Sequence, residues 1–151
     1  PMYYFAYGSN LHREQMKNRC PDSVSVARVK LKGYQLTFNR VADIVENKQA
    51  ITWGAVYKVS PEDIKSLDCY EGYPRLYDKI SAVVEDDKGQ TYQAFAYVMA
   101  SKGNREPSNN YYQIIEEGYR NWKLPLNSLQ EALKRSHQGG PVCPSKAQWW
   151  Q

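Results

Sequence analysis

Tyr3-Tyr4-Phe5-Ala6-Tyr7-Gly8-Ser9-Asn10-Leu11 opens the chain as an aromatic run that passes through one glycine into polar residues. Aromatic side chains suit a pleated, half-buried surface, so residues 3–7 are predicted to form a strand. Gly8 lets the chain turn sharply. Ser9 and Asn10 are N-cap residues, and Leu11 to Asn18 (LHREQMKN) follows without Pro or Gly, which predicts a helix. A strand, a glycine turn and a helix start leave several main-chain N–H groups unpaired and pointing one way. That arrangement suits an anion or a developing oxyanion. The same residues also suit a tight strand-to-helix connection with no ligand.

Outward from this stretch, Cys20-Pro21-Asp22 ends the first helix. Ser23 to Leu31 alternates as a strand, Gly33 turns the chain, and Tyr34, Leu36 and Phe38 share one face of the next strand. Asn39 to Gln49 is polar and predicted as an exposed loop. Ala50 to Val59 is a long strand in which Gly54 marks a bulge or a close backbone approach. Ser60-Pro61-Glu62-Asp63 is a strong helix start, and that helix ends near Tyr70-Glu71-Gly72. Leu76 to Glu85 and Gln90 to Ala100 read as a hairpin around Asp86-Asp87-Lys88-Gly89. Ser108 opens a helix to about Trp122, Leu124-Pro125-Leu126 breaks it, and Asn127 caps a last helix to His137. These elements predict one α+β domain over residues 1–137, a small mixed, mostly antiparallel β-barrel with peripheral α-helices. Residues 138–151 read as an irregular tail whose Trp149 and Trp150 are expected to dock on the body.

Composition narrows the function classes. The chain has 151 residues, 13 of them Tyr, so a core or cavity lined by tyrosine is expected to be partly polar. The net charge of +4 comes from interspersed signs, and no basic stripe interleaves with aromatics as in a single-strand RNA binder. Cys20, Cys69 and Cys143 form no CxxC pair and fit reduced thiols. No apolar run approaches the roughly 20 residues that span a bilayer, and Met2 reads as the natural start without a signal peptide. A cytoplasmic protein without nucleic-acid or membrane partners is expected.

Asp68-Cys69-Tyr70-Glu71-Gly72-Tyr73-Pro74-Arg75-Leu76-Tyr77 is the second informative stretch. A carboxylate at a helix C-terminus faces the negative end of the dipole, and an aromatic wall desolvates it. Both effects raise its pKa toward the range of a general acid/base. A surface acid paired with Arg75 is the alternative. His12 and His137 are far apart, neither is placed to activate Cys69, and no zinc, Walker or dinucleotide pattern occurs.

In order and spacing, Tyr7-Gly8-Ser9-Asn10-Leu11, Leu67-Asp68-x-x-Glu71-Gly72-Tyr73-Pro74-x-x-Tyr77, Pro107-Ser108-x-x-Tyr111 and the Leu124-Pro125 break resemble the γ-glutamylcyclotransferase family (the AIG2-like group). The resemblance spans residues 2–133. It implies a small barrel with helices around it and cyclisation of a γ-glutamyl group to 5-oxoproline with release of an amino acid or amine. Carried onto this sequence it makes Glu71 the general acid/base. Tyr7, Gly8, Ser9, Asn10 and Leu11 become the substrate loop, and Tyr77 and Tyr111 (or Tyr112, one residue on) ligands to the γ-glutamyl head. Because the substrate's own amine is tethered to its γ-carbonyl, one carboxylate suffices, with no metal, cofactor or covalent intermediate. The loop N–H groups would hold the oxyanion or the substrate carboxylate. The acceptor side is left open, with the Arg40–Gln49 stretch and the tail expected to shape it. A non-catalytic binder of γ-glutamyl compounds or small amines is the second reading.

Overall fold

A computed structural model describes residues 2–139. Its strands are β1 (Met2–Ala6), β2 (Val24–Asn39), β3 (Val41–Val59), β4 (Tyr77–Glu85) and β5 (Thr91–Met99). Its helices are α1 (Arg13–Arg19), α2 (Pro61–Glu71), α3 (Asn109–Asn121) and α4 (Leu126–Gln138), with a single 3-10 turn over Ser9–Leu11. The strands close a barrel in the order β1-β3-β2-β4-β5. Every pairing is antiparallel except β1 with β5, where Tyr3 lies opposite Ala94 and Tyr4 opposite Phe95. Gln138 closes α4 rather than opening a tail. Cys143, Trp149 and Trp150 lie outside the described residues.

The long β2–β3 hairpin corrects two expectations. Gly33 does not end a strand: it sits at φ 87° in a register shift between Lys32 and Tyr34, and β2 runs on through it. The stretch from Asn39 to Gln49 is not an exposed loop, since Leu36 pairs with Ile44 and Phe38 with Ala42. The turn is tight around Arg40, at φ 67°, and is held from outside. The Arg40 N–H donates to the Arg105 carbonyl, and the Arg105 N–H to the Phe38 carbonyl, both at 2.9 Å. Ala42, Asp43, Ile44 and Val45 are all buried. The polar run Glu46 to Gln49 hid this strand, because alternation is read from apolar residues and here a buried aspartate interrupts them.

Helix starts follow local chemistry with two shifts of position. At α2 the capping box is complete: the Asp63 N–H donates to Ser60 Oγ at 3.1 Å and the Ser60 N–H to Asp63 Oδ2 at 3.1 Å. Ser9 and Asn10 do not cap α1. They are spent in the 3-10 turn, and His12 takes the cap, its Nδ1 accepting from the Gln15 N–H at 3.2 Å. At α4, Pro125 precedes the first turn and Leu126 already lies within it, so Asn127 is not the cap. The turn is pressed under α3, where a Cβ on Gly118 would stand 2.6 Å from Leu11 Cβ. Trp122 Nε1 donates to the Leu11 carbonyl at 3.0 Å. Among the described residues no helix is long and apolar enough to cross a membrane.

Gly54 is the close approach its position announced. A Cβ there would stand 2.2 Å from the Ala6 carbonyl oxygen and 2.5 Å from Phe5 Cε1. Main chain cannot yield as a side-chain tip can, so Gly54→Ala should cost about 3 kcal/mol, the upper end of overpacking penalties. Urea unfolding measures this. A loss below about 0.5 kcal/mol would mean that β1 and β3 are not so closely apposed.

Candidate active site

The loop leaving β1 and the C-terminal end of α2 line one cavity. Tyr7, Gly8, Ser9 and Asn10 form one wall and Glu71 another, with Ala42, Tyr77 and Tyr111 between them and Tyr4 and Tyr97 completing it. This inner pocket has a volume of about 30 Å³. It shares Ser9, Glu71, Tyr77 and Tyr111 with an adjoining chamber of about 330 Å³. Gly8 is at φ −122°, so it serves by its size rather than by a left-handed turn. A Cβ there would stand 3.1 Å from Ala42 Cβ and 3.5 Å from the Tyr111 hydroxyl.

Hydrogen bonds around the rim sort the phenols by what they leave free. Tyr77 donates its hydroxyl proton to the Ala42 carbonyl at 3.0 Å, and Tyr7 donates its own to the Tyr97 carbonyl at 2.5 Å. Both therefore turn lone pairs toward the cavity. Tyr111 accepts from the Ala42 N–H at 2.9 Å, and Tyr4 accepts from Asn10 Nδ2 at 2.9 Å, so each keeps its own proton to give. Burial pushes Tyr4, Tyr7, Tyr77 and Tyr111 above the ordinary phenol range, which keeps them protonated. The pocket thus offers two neutral donors and two neutral acceptors around one carboxyl.

Glu71 follows Asp68 by one helical turn and caps out against Gly72 in the left-handed conformation (φ 66°), which ends α2. Among the described residues its carboxyl has no hydrogen bond or ion pair, and Arg75 does not pair with it. Burial raises its pKa to about 7, with the Arg19 guanidinium pulling the other way. Such a group exchanges a proton near neutrality.

Leu11 stands apart from the other residues singled out in sequence. Its side chain is fully buried beneath α3, and its N–H is already bonded to the Gly8 carbonyl at 3.0 Å. The N–H groups of Gly8, Ser9 and Asn10 have no acceptor among the described residues. Tyr111 lines the cavity, whereas Tyr112 packs on Phe38, ring centroids 6.0 Å apart. Sequence reasoning missed Tyr4, Tyr97, the Ala42 main chain and Arg19. The abundance of tyrosine hinted at the first two; nothing local marked the others. Arg19 lies 3.6 Å over the Tyr70 ring and donates to Asn10 Oδ1. Asp43 is buried beside Ala42, accepting from the Met99 N–H at 2.9 Å and from Lys102 Nζ. Asp68 accepts from the Tyr97 hydroxyl at 2.5 Å and pairs with Lys79 at 2.8 Å. Among the described residues no three His, Cys, Asp or Glu side chains cluster as metal ligands.

Burial of Glu71 has a consequence for stability. Its pKa is raised from 4.5 to about 7, so below pH 4.5 both folded and unfolded chains carry it neutral and nothing is lost. As pH rises from there the unfolded chain ionises first, and the cost to the fold grows until about pH 7 and then stays constant. Glu71→Gln should therefore stabilise the protein by about 1–3 kcal/mol at pH 8 and leave it unchanged at pH 4. Chemical denaturation at the two pH values measures the difference. Equal effects at both would contradict a raised pKa.

Comparison with known proteins places this chain in a wider group. The family model described as "Gamma-glutamyl cyclotransferase, AIG2-like" matches residues 4–123. A gamma-glutamylcyclotransferase from Homo sapiens is 31% identical over 144 residues, covering 87% of this chain and 76% of that protein. Its Bos taurus counterpart is 30% identical over 136 residues, covering 82% and 72%. A solved structure titled gamma-glutamyl cyclotransferase superposes with a TM-score of 0.78 at 25% identity, covering 97% of this chain and 94% of that one. The chain belongs to the gamma-glutamyl cyclotransferase, AIG2-like family of enzymes.

Proposed function

We propose that this protein cyclises a γ-glutamyl amino acid or γ-glutamyl amine to 5-oxoproline and frees the amine, with Glu71 as general acid/base. The observation that supports this most is a part-buried carboxyl that, among the described residues, has no partner, in a pocket it shares with two phenol donors and with main-chain N–H groups unpaired among the same residues. In the reaction the α-nitrogen attacks the γ-carbonyl carbon, a C–N bond closes the five-membered ring, and the original amide C–N bond breaks. The tethered amine makes the attack intramolecular, so the protein's task is to fold the substrate rather than gather two molecules.

Proton bookkeeping needs one carboxylate. Of the three α-ammonium hydrogens, one stays on the lactam nitrogen. Glu71 removes a second and returns it to the departing nitrogen, and the third ends on the freed amine, which leaves as an ammonium. No water is consumed. Tyr7 and Tyr77, with lone pairs toward the pocket, orient the α-ammonium beside Glu71. Tyr4 and Tyr111 and the N–H groups of Gly8, Ser9 and Asn10 supply donors for negative charge. That charge is carried by the γ-oxyanion and the substrate α-carboxylate. Binding without turnover, the competing role for this pocket, would release no 5-oxoproline.

Purified protein assayed for 5-oxoproline against γ-glutamyl dipeptides, glutathione and γ-glutamylamines tests the reaction. Glu71→Gln should retain ligand binding and lose turnover by about 10³-fold, within the usual worth of one acid/base group of about 10²–10⁴-fold. Turnover within tenfold of the parent would remove Glu71 from the role. In the parent, kcat/KM should fall below about pH 7 as the carboxyl takes its proton. Tyr111→Phe, which removes one donor and also strands the Ala42 N–H, should lower kcat by about 10²-fold and cost about 1–3 kcal/mol of stability.

A further inference from the structure

The narrow pocket and the wider chamber meet at Glu71, and their chemistry differs. Beyond the shared residues, Val41, Leu76, Met99 and Ala100 give the chamber an apolar wall, and Arg75 gives it its cation. Its volume of about 330 Å³ falls within the range of sites for whole small molecules, far above the 30 Å³ of the inner pocket. Leu76 is 67% exposed, which no demand of the core explains. Arg75 is exposed and makes no ion pair among the described residues. The carboxyl lining this chamber is that of Glu71.

Resting on the cyclotransferase reading, we infer that the chamber takes the departing half of the substrate, and that this half is a bulky apolar α-amino acid. The scissile amide must lie at Glu71. Its γ-glutamyl side needs the donors and acceptors of the tyrosine pocket, so the other side extends into the chamber. There the side chain of the departing residue covers Val41, Leu76 and Met99, removing apolar surface from water on both partners. Its carboxylate, one carbon from the departing nitrogen, meets the Arg75 guanidinium, whose fork suits a carboxylate. A cationic departing group is rejected, since it would face Arg75 and compete for the carboxyl the reaction uses. Arg75 and the apolar wall are thus specificity residues, which act on the departing half and not on the reacting atoms.

Steady-state kcat/KM on four compounds tests this: γ-glutamyl-phenylalanine, its C-terminal amide, γ-glutamyl-alanine, and the isopeptide of γ-glutamate with the ε-amine of lysine. The parent should prefer the phenylalanine acid over its amide roughly fivefold, the upper value of one exposed charge-assisted pair, and should prefer it over the alanine compound and the isopeptide. Arg75→Gln should bring acid and amide within about twofold, and Leu76→Asp should erase the preference for phenylalanine over alanine. Equal handling of acid and amide by the parent, or a ratio unmoved by Arg75→Gln, overturns the assignment. Turnover across the panel without discrimination leaves the cyclotransferase standing and removes only the chamber's role. If no compound yields 5-oxoproline the cyclotransferase reading itself fails. Calorimetric binding of the same compounds to the Glu71→Gln protein then decides the chamber: an acid-over-amide preference abolished by adding Arg75→Gln supports it, and equal affinities or no binding overturn it.

Discussion

Ala42 accepts a proton from the Tyr77 hydroxyl at its carbonyl and gives its N–H to the Tyr111 hydroxyl. One peptide neighbourhood on β3 therefore sets the polarity of two phenols that arrive from β4 and α3. The direction of each bond matters more than its strength. Tyr77 spends its proton and becomes an acceptor toward the cavity, while Tyr111 keeps its proton and remains a donor. Because the rings are buried, neither can reverse role by ionising. Everything else in the pocket is arranged against this fixed pair.

That clamp is itself braced. The hairpin tip carrying Ala42 is pinned by Asp43, buried and bonded to the Met99 N–H and to Lys102, and by the reciprocal Arg40–Arg105–Phe38 main-chain bonds. A buried charge of this kind is costly to strand, so removing Lys102 would be felt at Ala42 before it was felt in the barrel. On the opposite wall, Arg19, stacked over Tyr70, holds Asn10, and Asn10 orients Tyr4. Around the inner pocket, Tyr4, Tyr7, Ser9, Asn10, Tyr77, Tyr97 and Tyr111 are each bonded to main chain or to a second side chain.

Glu71 is the exception, and its isolation is informative. A carboxyl that ended α2 in an ion pair would stabilise the protein and would be held in the ionised state. Without a partner among the described residues and set in a tyrosine pocket, it destabilises the fold above neutral pH and in exchange titrates where a proton can be taken and returned. The closing of α2 at Gly72, with the chain turned away by a left-handed residue, is what keeps this side chain facing inward rather than along the helix toward solvent.

Much of this was legible one segment at a time. The aromatic strand, the capping box at Ser60, the Glu71-Gly72 helix end and the hairpin around Lys88-Gly89 are local features, coded by propensity, capping and turn chemistry within a few residues. Gly54 declared a close approach without saying to what. The β2–β3 tip was misread because Asp43 and the polar run after it broke the apolar alternation, and the burial of Asp43 depends on partners from β5 and the segment after it. By itself, the sequence determined most of the strands and helices, the β2–β3 tip aside, and placed a lone glutamate at a helix end. Which of thirteen tyrosines surround it, and which of them give or accept a proton, was decided by the closure of the barrel. Periodicity specifies that a face is covered, but only the approach of segments distant in the chain specifies what covers it.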